Sequence, residues 1–206
     1  MFALIENQQI TKFYNSNKGV IIGDNQYPKS IFTLWSEAQR NAIGIFEVTV
    51  DTTNKKDEQW YINTNQSFAF AGGKITASYG SATAKAHADT LWTQQDSDDG
   101  DLPSDKSVGD VKVEGLKTIK IREVKKQAAG ILQDTDWYIT RKADAGTAVP
   151  SAITNHRAAV RTKCAEMETA ITNAADTPAL ETLYTYTEQE DGSNTRPLGE
   201  LPTLES

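Results

Sequence analysis

The chain has 206 residues and a formal net charge of −7. That is enough for one medium domain or two small ones, and too acidic overall for sequence-independent binding to nucleic acid. One cysteine, Cys164, cannot form an internal disulfide. Met1 to Phe13 lacks the basic stretch and apolar core of a signal peptide, and no apolar run approaches the ~18 residues of a membrane span.

Phe2 to Glu6 and Gln9 to Phe13 are β-prone runs on either side of a tight turn, a predicted hairpin. Pro28 fixes a turn in "NQYPKS". "SEAQRNAIG" predicts a short helix, with a capping box from Ser36 to Gln39 and Gly44 just past its end. "IGIFEVTVD" alternates Ile45, Glu47 and Thr49 with Phe46, Val48 and Val50, a strand by period. "SFAFAGGKITASYG" predicts a second hairpin turning at Gly72-Gly73. Residues 1–93 therefore predict an N-terminal, mainly antiparallel β-rich module.

Residues 94–110 hold six Asp against one Lys, together with Gly100 and Pro103, and predict an acidic linker. Lys112 to Lys126 carries six bases and two acids, a pattern that fits a solvated helix face. Ile121, Val124, Ala128, Ile131, Leu132 and Thr135 then recur three and four apart, a helix running to about Asp134. After a polar loop, a second helix starts near Pro150 with a narrow stripe of Ile153, Val160, Cys164, Met167 and Ile171. Thr177 as cap and Pro178 at the first position open a short third helix. Residues 111–186 thus predict a C-terminal helical hairpin module. Residues 187–206 lack a periodic apolar face and predict an extended arm. Leu198, Leu201 and Leu204 would share one side of a polyproline-like path there and meet a partner. The predicted fold class is α+β.

No catalytic constellation, cofactor site or metal site assembles from the sequence, which predicts a protein that is not an enzyme. His87 and His156 both predict solvated positions, and Cys164 lies on the apolar stripe as a core thiol. A calcium-loop frame on Gly100 puts Gln95 and Lys106 at its two anchor positions, where neither fits. The acidic stretch therefore predicts a solvated loop, with a weak surface cation site as the alternative. No phosphate-cradling or dinucleotide glycine pattern is present. Trp35, Trp60, Tyr61 and Trp92 predict core positions, with a carbohydrate-binding platform as the alternative.

"ILQDTDWYITRKADAGTAVPSAITNHRAAVR", residues 131 to 161, resembles a module in small tail proteins of tailed bacteriophages, the tail-fibre assembly or tail accessory family. Leu132, Thr135, Asp136, Trp137, Pro150, Arg157 and Arg161 match its pattern: a helix ending in Leu-x-x-Thr-Asp-Trp, a polar loop, a Pro, and a helix carrying Arg-x-x-x-Arg. "MFALIENQQITKF" and "NTNQSFAFAGGKITASYG" resemble other parts of such proteins. The resemblance implies a virion structural protein of the tail, made in the host bacterial cytoplasm. It would connect other phage tail or fibre proteins in the baseplate or fibre region, in multiple copies within a symmetric assembly, with no nucleic acid and no membrane as partner. It equally accommodates a tail-fibre assembly chaperone that leaves the particle. Within the module, the narrow helical stripes favour Trp137 as a buried plug between two helices. The alternative is an exposed anchor of Trp137, Tyr138 and Arg141, residue types that dominate interface hot spots.

Overall fold

The computed structural model describes residues 1–16 and 18–204. The architecture is α+β, and the chain divides into two compact units, Met1–Thr83 and Ala84–Ser206.

The first unit opens with β1 (Phe2–Glu6) and β2 (Gln9–Tyr14). Asn7 and Gln8 between them both take positive φ, 50° and 64°, as a two-residue turn matched to strand twist requires. A small hairpin, β3 (Val20–Ile22) and β4 (Asn25–Tyr27), leads to α1 (Ile31–Leu34) and α2 (Glu37–Ala42). The predicted capping box is present: Ser36 Oγ accepts from the Gln39 amide, and Gln39 Oε1 accepts from the Ser36 amide at 2.9 Å. Then come β5 (Ile45–Asp51), β6 (Tyr61–Ile62), β7 (Gln66–Ala71) and β8 (Lys74–Tyr79), with the short β9 (Thr83–Ala84) at the division between the units. Gly72 and Gly73 make the β7–β8 turn, both at positive φ.

Among the described residues, five strands pair in the order β2-β1-β5-β8-β7. All of these pairings are antiparallel except β5 with β8. β1 is central enough that Phe2, Ala3 and Leu4 are all buried. Phe2 and Leu4 join Ile31, Phe32 and Ile45 in one cluster, while Ala3 joins Val48, Ile75 and Ala77 in a second. The sheet curls around that second cluster: Phe13 on edge strand β2 and Phe68 on edge strand β7 bring their ring centroids to 4.6 Å.

The second unit contains β10 (Thr90–Leu91), α3 (Gln94–Asp98), β11 (Val111–Val113), α4 (Leu116–Gln133), α5 (Asp136–Ala145), α6 (Ser151–Asn173), α7 (Thr177–Tyr184), β12 (Thr187–Glu188) and β13 (Asn194–Thr195). The stripe on α6 is buried as its spacing predicts, with Ile153, Val160, Cys164, Met167 and Ile171 inside. It faces α4, which buries Leu116, Val124 and Ala128. Asp176 caps α7 by accepting from the Ala179 amide at 2.8 Å. Thr177, the predicted cap, is instead the first helical residue and donates its hydroxyl to the Lys85 carbonyl.

Three predicted boundaries are corrected. The N-terminal module ends at 83, not 93, because residues 85–89 secure the helices of the second unit. The Ala86 and His87 carbonyls accept the Leu116 and Lys117 amides. The Asp89 carboxylate caps α4 by accepting from the Gly115 amide and the Thr118 hydroxyl, at 2.7 and 2.8 Å. Gly115 is required there, since a Cβ would sit 2.3 Å from the Ala88 backbone. The acidic residues 94–110 are likewise no linker between modules. They form α3 and the connection that pairs β10 with β11 inside the second unit. Finally, the predicted arm 187–206 does not extend away. β12 and β13 form a hairpin, and the Leu198 amide then donates to the Leu183 carbonyl at 3.0 Å. Positions 205 and 206 of that arm lie outside the described residues.

The acidic stretch owes part of its order to Asp96. Its carboxylate binds Lys112 Nζ and caps α3 through the Thr93 amide and hydroxyl. Lys112 first, and Thr93 after it, hold this carboxyl down at about 2 against an ordinary 3.8. The folded value lies below the unfolded one. The stabilising contribution is therefore fully present above about pH 4 and is lost as pH falls through about 2. A carboxyl-carbon NMR titration is expected to place the Asp96 midpoint near 2 and to move it upward in Lys112→Ala. A wild-type midpoint near 4 would show that this corner is not held.

Candidate partner-binding site

In place of the predicted polar loop between two helices, the chain forms α5. Helix α4 stops at Asp134, and Thr135 turns the chain directly into the next helix: the Thr135 amide donates to Leu132 and the Tyr138 amide to Thr135. Asp136 places a carboxylate in the first turn of α5, where the helix dipole favours it. Gly146 closes the other end in the left-handed region at φ 69°. The Asp-Ala-Gly run at 144–146 carried this stop signal in the sequence, but α5 buries no residue and so has no apolar stripe to announce it.

What holds α5 in place comes from α6. Arg157 is 7% exposed. Its Nη1 donates to the Leu132 carbonyl and to Thr135 Oγ1, both at 2.7 Å, and its Nη2 meets Asp136 Oδ1 at 2.8 Å. Thr135, itself buried, donates its hydroxyl to the Leu132 carbonyl at 3.0 Å. Leu132, Thr135, Asp136 and Arg157 of the sequence pattern are thus one hydrogen-bonded junction. A guanidinium fork fits this task because it serves a carbonyl, a hydroxyl and a carboxylate at once.

That junction corrects the expectation for Trp137. At the α4–α5 junction the buried side chains are Arg157 and Thr135, and Trp137 is 52% exposed. Its ring meets Tyr138 at a tilt of 34° with centroids 4.0 Å apart, and the Arg141 guanidinium lies 5.6 Å from its centre. Trp137, Tyr138 and Arg141 are therefore neighbours on α5, with Trp137 and Arg141 exposed and Tyr138 half-buried.

The three leucines of the predicted arm are not brought together for a partner. Leu198 is 2% exposed and belongs to the unit's own core, Leu201 is half-buried, and Leu204 is exposed. Arg196 places its guanidinium over the rings of Tyr184 and Tyr186, at 5.5 and 5.2 Å, and pairs with Glu200. These cation–ring contacts and the backbone bond at Leu198 fold the segment back, which a leucine count could not reveal.

The remaining candidates also find their places. His156, predicted solvated, is buried on α6 beside Arg157, because the face that α6 buries takes in these two polar residues next to its apolar stripe; His87 is half-buried. Cys164 is buried as predicted. Burial, and then its hydrogen bond to Glu168, push its thiol above the ordinary value, the opposite of an activated nucleophile. Trp60 is buried, and Trp35 packs against the first unit's core edge-on to Tyr27. Tyr61 and Trp92 are half-buried, with Lys112 Nζ 4.3 Å from the Trp92 ring centre.

Among the described residues, no group of three or more His, Cys, Asp or Glu is placed to hold a metal ion. No helix among them is long and apolar enough to cross a membrane. Compared with known proteins, the chain matches no family model, and no curated protein or solved structure matches it.

Proposed function

We propose that this protein is a structural component of a bacteriophage tail, in the baseplate or fibre region, that docks onto other tail proteins through the outer face of α5. The observation that carries this is the Trp137–Tyr138 ring pair with Arg141, Trp137 and Arg141 exposed and Tyr138 half-buried, on a helix that buries none of its own residues and is fixed by Arg157. A helix with no buried face gains little from its own fold. An aromatic–arginine anchor on a rigid support is the make-up of an interface hot spot. Two compact units in one chain suit a connector, since each can hold a different neighbour in a repeating assembly.

Mass spectrometry of purified particles tests the role. Peptides of this chain at stoichiometric level relative to other tail proteins are expected. Their absence from particles, with presence in infected cells, would assign it instead to transient assembly of the tail fibre. The anchor is tested by Trp137→Ala. Because the ring is half in solvent, unfolding stability is expected to change by less than about 1 kcal/mol. Losing a hot-spot residue costs about 2 kcal/mol or more of binding, roughly a thirty-fold weaker attachment. A large drop in melting temperature with normal incorporation into tails would reverse both expectations.

A further inference from the structure

The opposite side of α5 carries a second feature. A groove of about 290 Å³ runs between α5 and α6, floored by Ile139, Ala148 and Val149 and bordered by Lys142, Arg157 and Arg161. Ile139 is 43% exposed, and Val149 is half-buried. At ~100° per residue, Ile139 lies about 160° around the helix from Trp137 and Arg141, so the apolar floor and the indole face different ways, while Tyr138, one turn before Lys142, borders both.

The groove's lining residues carry positive charge only, Lys142, Arg157 and Arg161. Among the described residues, Lys142 and Arg161 enter no ion pair, and Arg161 makes only a long 3.5 Å bond to the Arg157 carbonyl. Arg157 is paired to Asp136 through Nη2, yet its Nε is buried with no acceptor. The other acid of α5, Asp144, sits about 140° around the helix from Ile139. A protein of net charge −7 thus keeps a local cationic rim around an apolar floor. Asp136 matches the charge of Arg157, so Lys142 and Arg161 are the cations of this rim left to meet a ligand's charge, within the ~8 Å over which charges are felt at physiological salt.

We infer that this groove binds an acidic peptide segment of a partner protein, with an apolar side chain seated on Ile139 and Val149 and flanking carboxylates met by Lys142 and Arg161. The apolar floor favours a peptide over a nucleic-acid backbone, which would offer phosphates and sugars to Ile139 and Val149. The inference goes beyond the tail role and holds whether or not that role is correct.

The test is fluorescence anisotropy with the full chain and a labelled synthetic heptapeptide of alternating Glu and Leu. Saturable binding is expected. It should weaken about five- to ten-fold in Arg161→Glu, where an exposed attraction becomes a repulsion, and several-fold in Ile139→Ser. It should also weaken when salt rises from about 50 to about 500 mM. All the substituted side chains are exposed, so melting temperatures are expected to hold and to separate loss of the groove from loss of the fold. Trp137→Ala should bind the peptide as the natural chain does, which keeps this test distinct from that of the aromatic anchor. Equal binding of a Lys–Leu peptide, no response to Arg161→Glu, or tighter binding of a single-stranded oligothymidine would each overturn the inference.

Discussion

Replacing Arg157 with methionine is expected to destabilise the second unit by about 3 kcal/mol and to release α5 from its place. Methionine keeps much of the apolar stem, so the loss falls on the guanidinium. Three partners lose a donor: the Leu132 carbonyl, Thr135 Oγ1 and Asp136 Oδ1. Two circumstances hold the cost to the lower end of the ~3–5 kcal/mol typical of broken buried pairs. The Thr135 hydroxyl still donates to Leu132, so that carbonyl is not orphaned, and the Asp136 side chain is 58% exposed and can take up water. Urea unfolding would read the stability, and hydrogen exchange would read the amides of 136–146, which should lose protection well before those of α6. Unchanged stability with full protection would show that α5 is held by something else. Asp136→Asn keeps an oxygen to accept from Nη2 but leaves the buried guanidinium without a counter-charge, and should cost less than Arg157→Met, about 1–2 kcal/mol.

Leu198→Ala is expected to cost about 3 kcal/mol, within the ~2–5 kcal/mol of a fully buried leucine truncated to alanine. For a unit of this size that lowers its melting midpoint by roughly 10 °C. Leu198 is almost completely enclosed, and its amide is committed to the Leu183 carbonyl, so the neighbouring backbone has little room to collapse into the space vacated. Removing everything beyond residue 186 should do at least as much damage, because it also takes Arg196 from Tyr184 and Tyr186. Calorimetry of the full chain checks both. A truncated chain that melts unchanged would mean the segment is a detachable arm after all.

The elements that were legible in the sequence are those whose signals are local. Ser36 and Gln39 lie three residues apart and cap the same helix. Gly72 and Gly73 turn two adjacent strands. The α6 stripe repeats within one continuous segment. What escaped depends on contacts far apart along the chain. Asp89 caps a helix that starts beyond residue 115, and Arg157 fixes one that starts at 136. Local propensity carries no information about such partners. The site was half legible. Trp137, Tyr138 and Arg141 stood out by residue type, but bulk and hydrophobicity pointed inward for the indole. Only the occupation of the α4–α5 junction by Arg157 decides that it faces out. Ile139 and Val149 gave no signal, because a single apolar residue on an exposed helix is ordinary.

The flanks of the second unit have a mechanical consequence. On its N-terminal side, the carbonyls of Lys85, Ala86 and His87 are tied to Thr177, Leu116 and Lys117. On its C-terminal side, Leu198 is tied to Leu183. Tension entering along the chain from either direction meets these ties before it reaches the hydrogen-bond ladders of α4 and α6. The unit is thus closed by its own ends. A pull strains a few peripheral bonds at first, while the helical pair that carries α5 stays seated and its outer face stays presented.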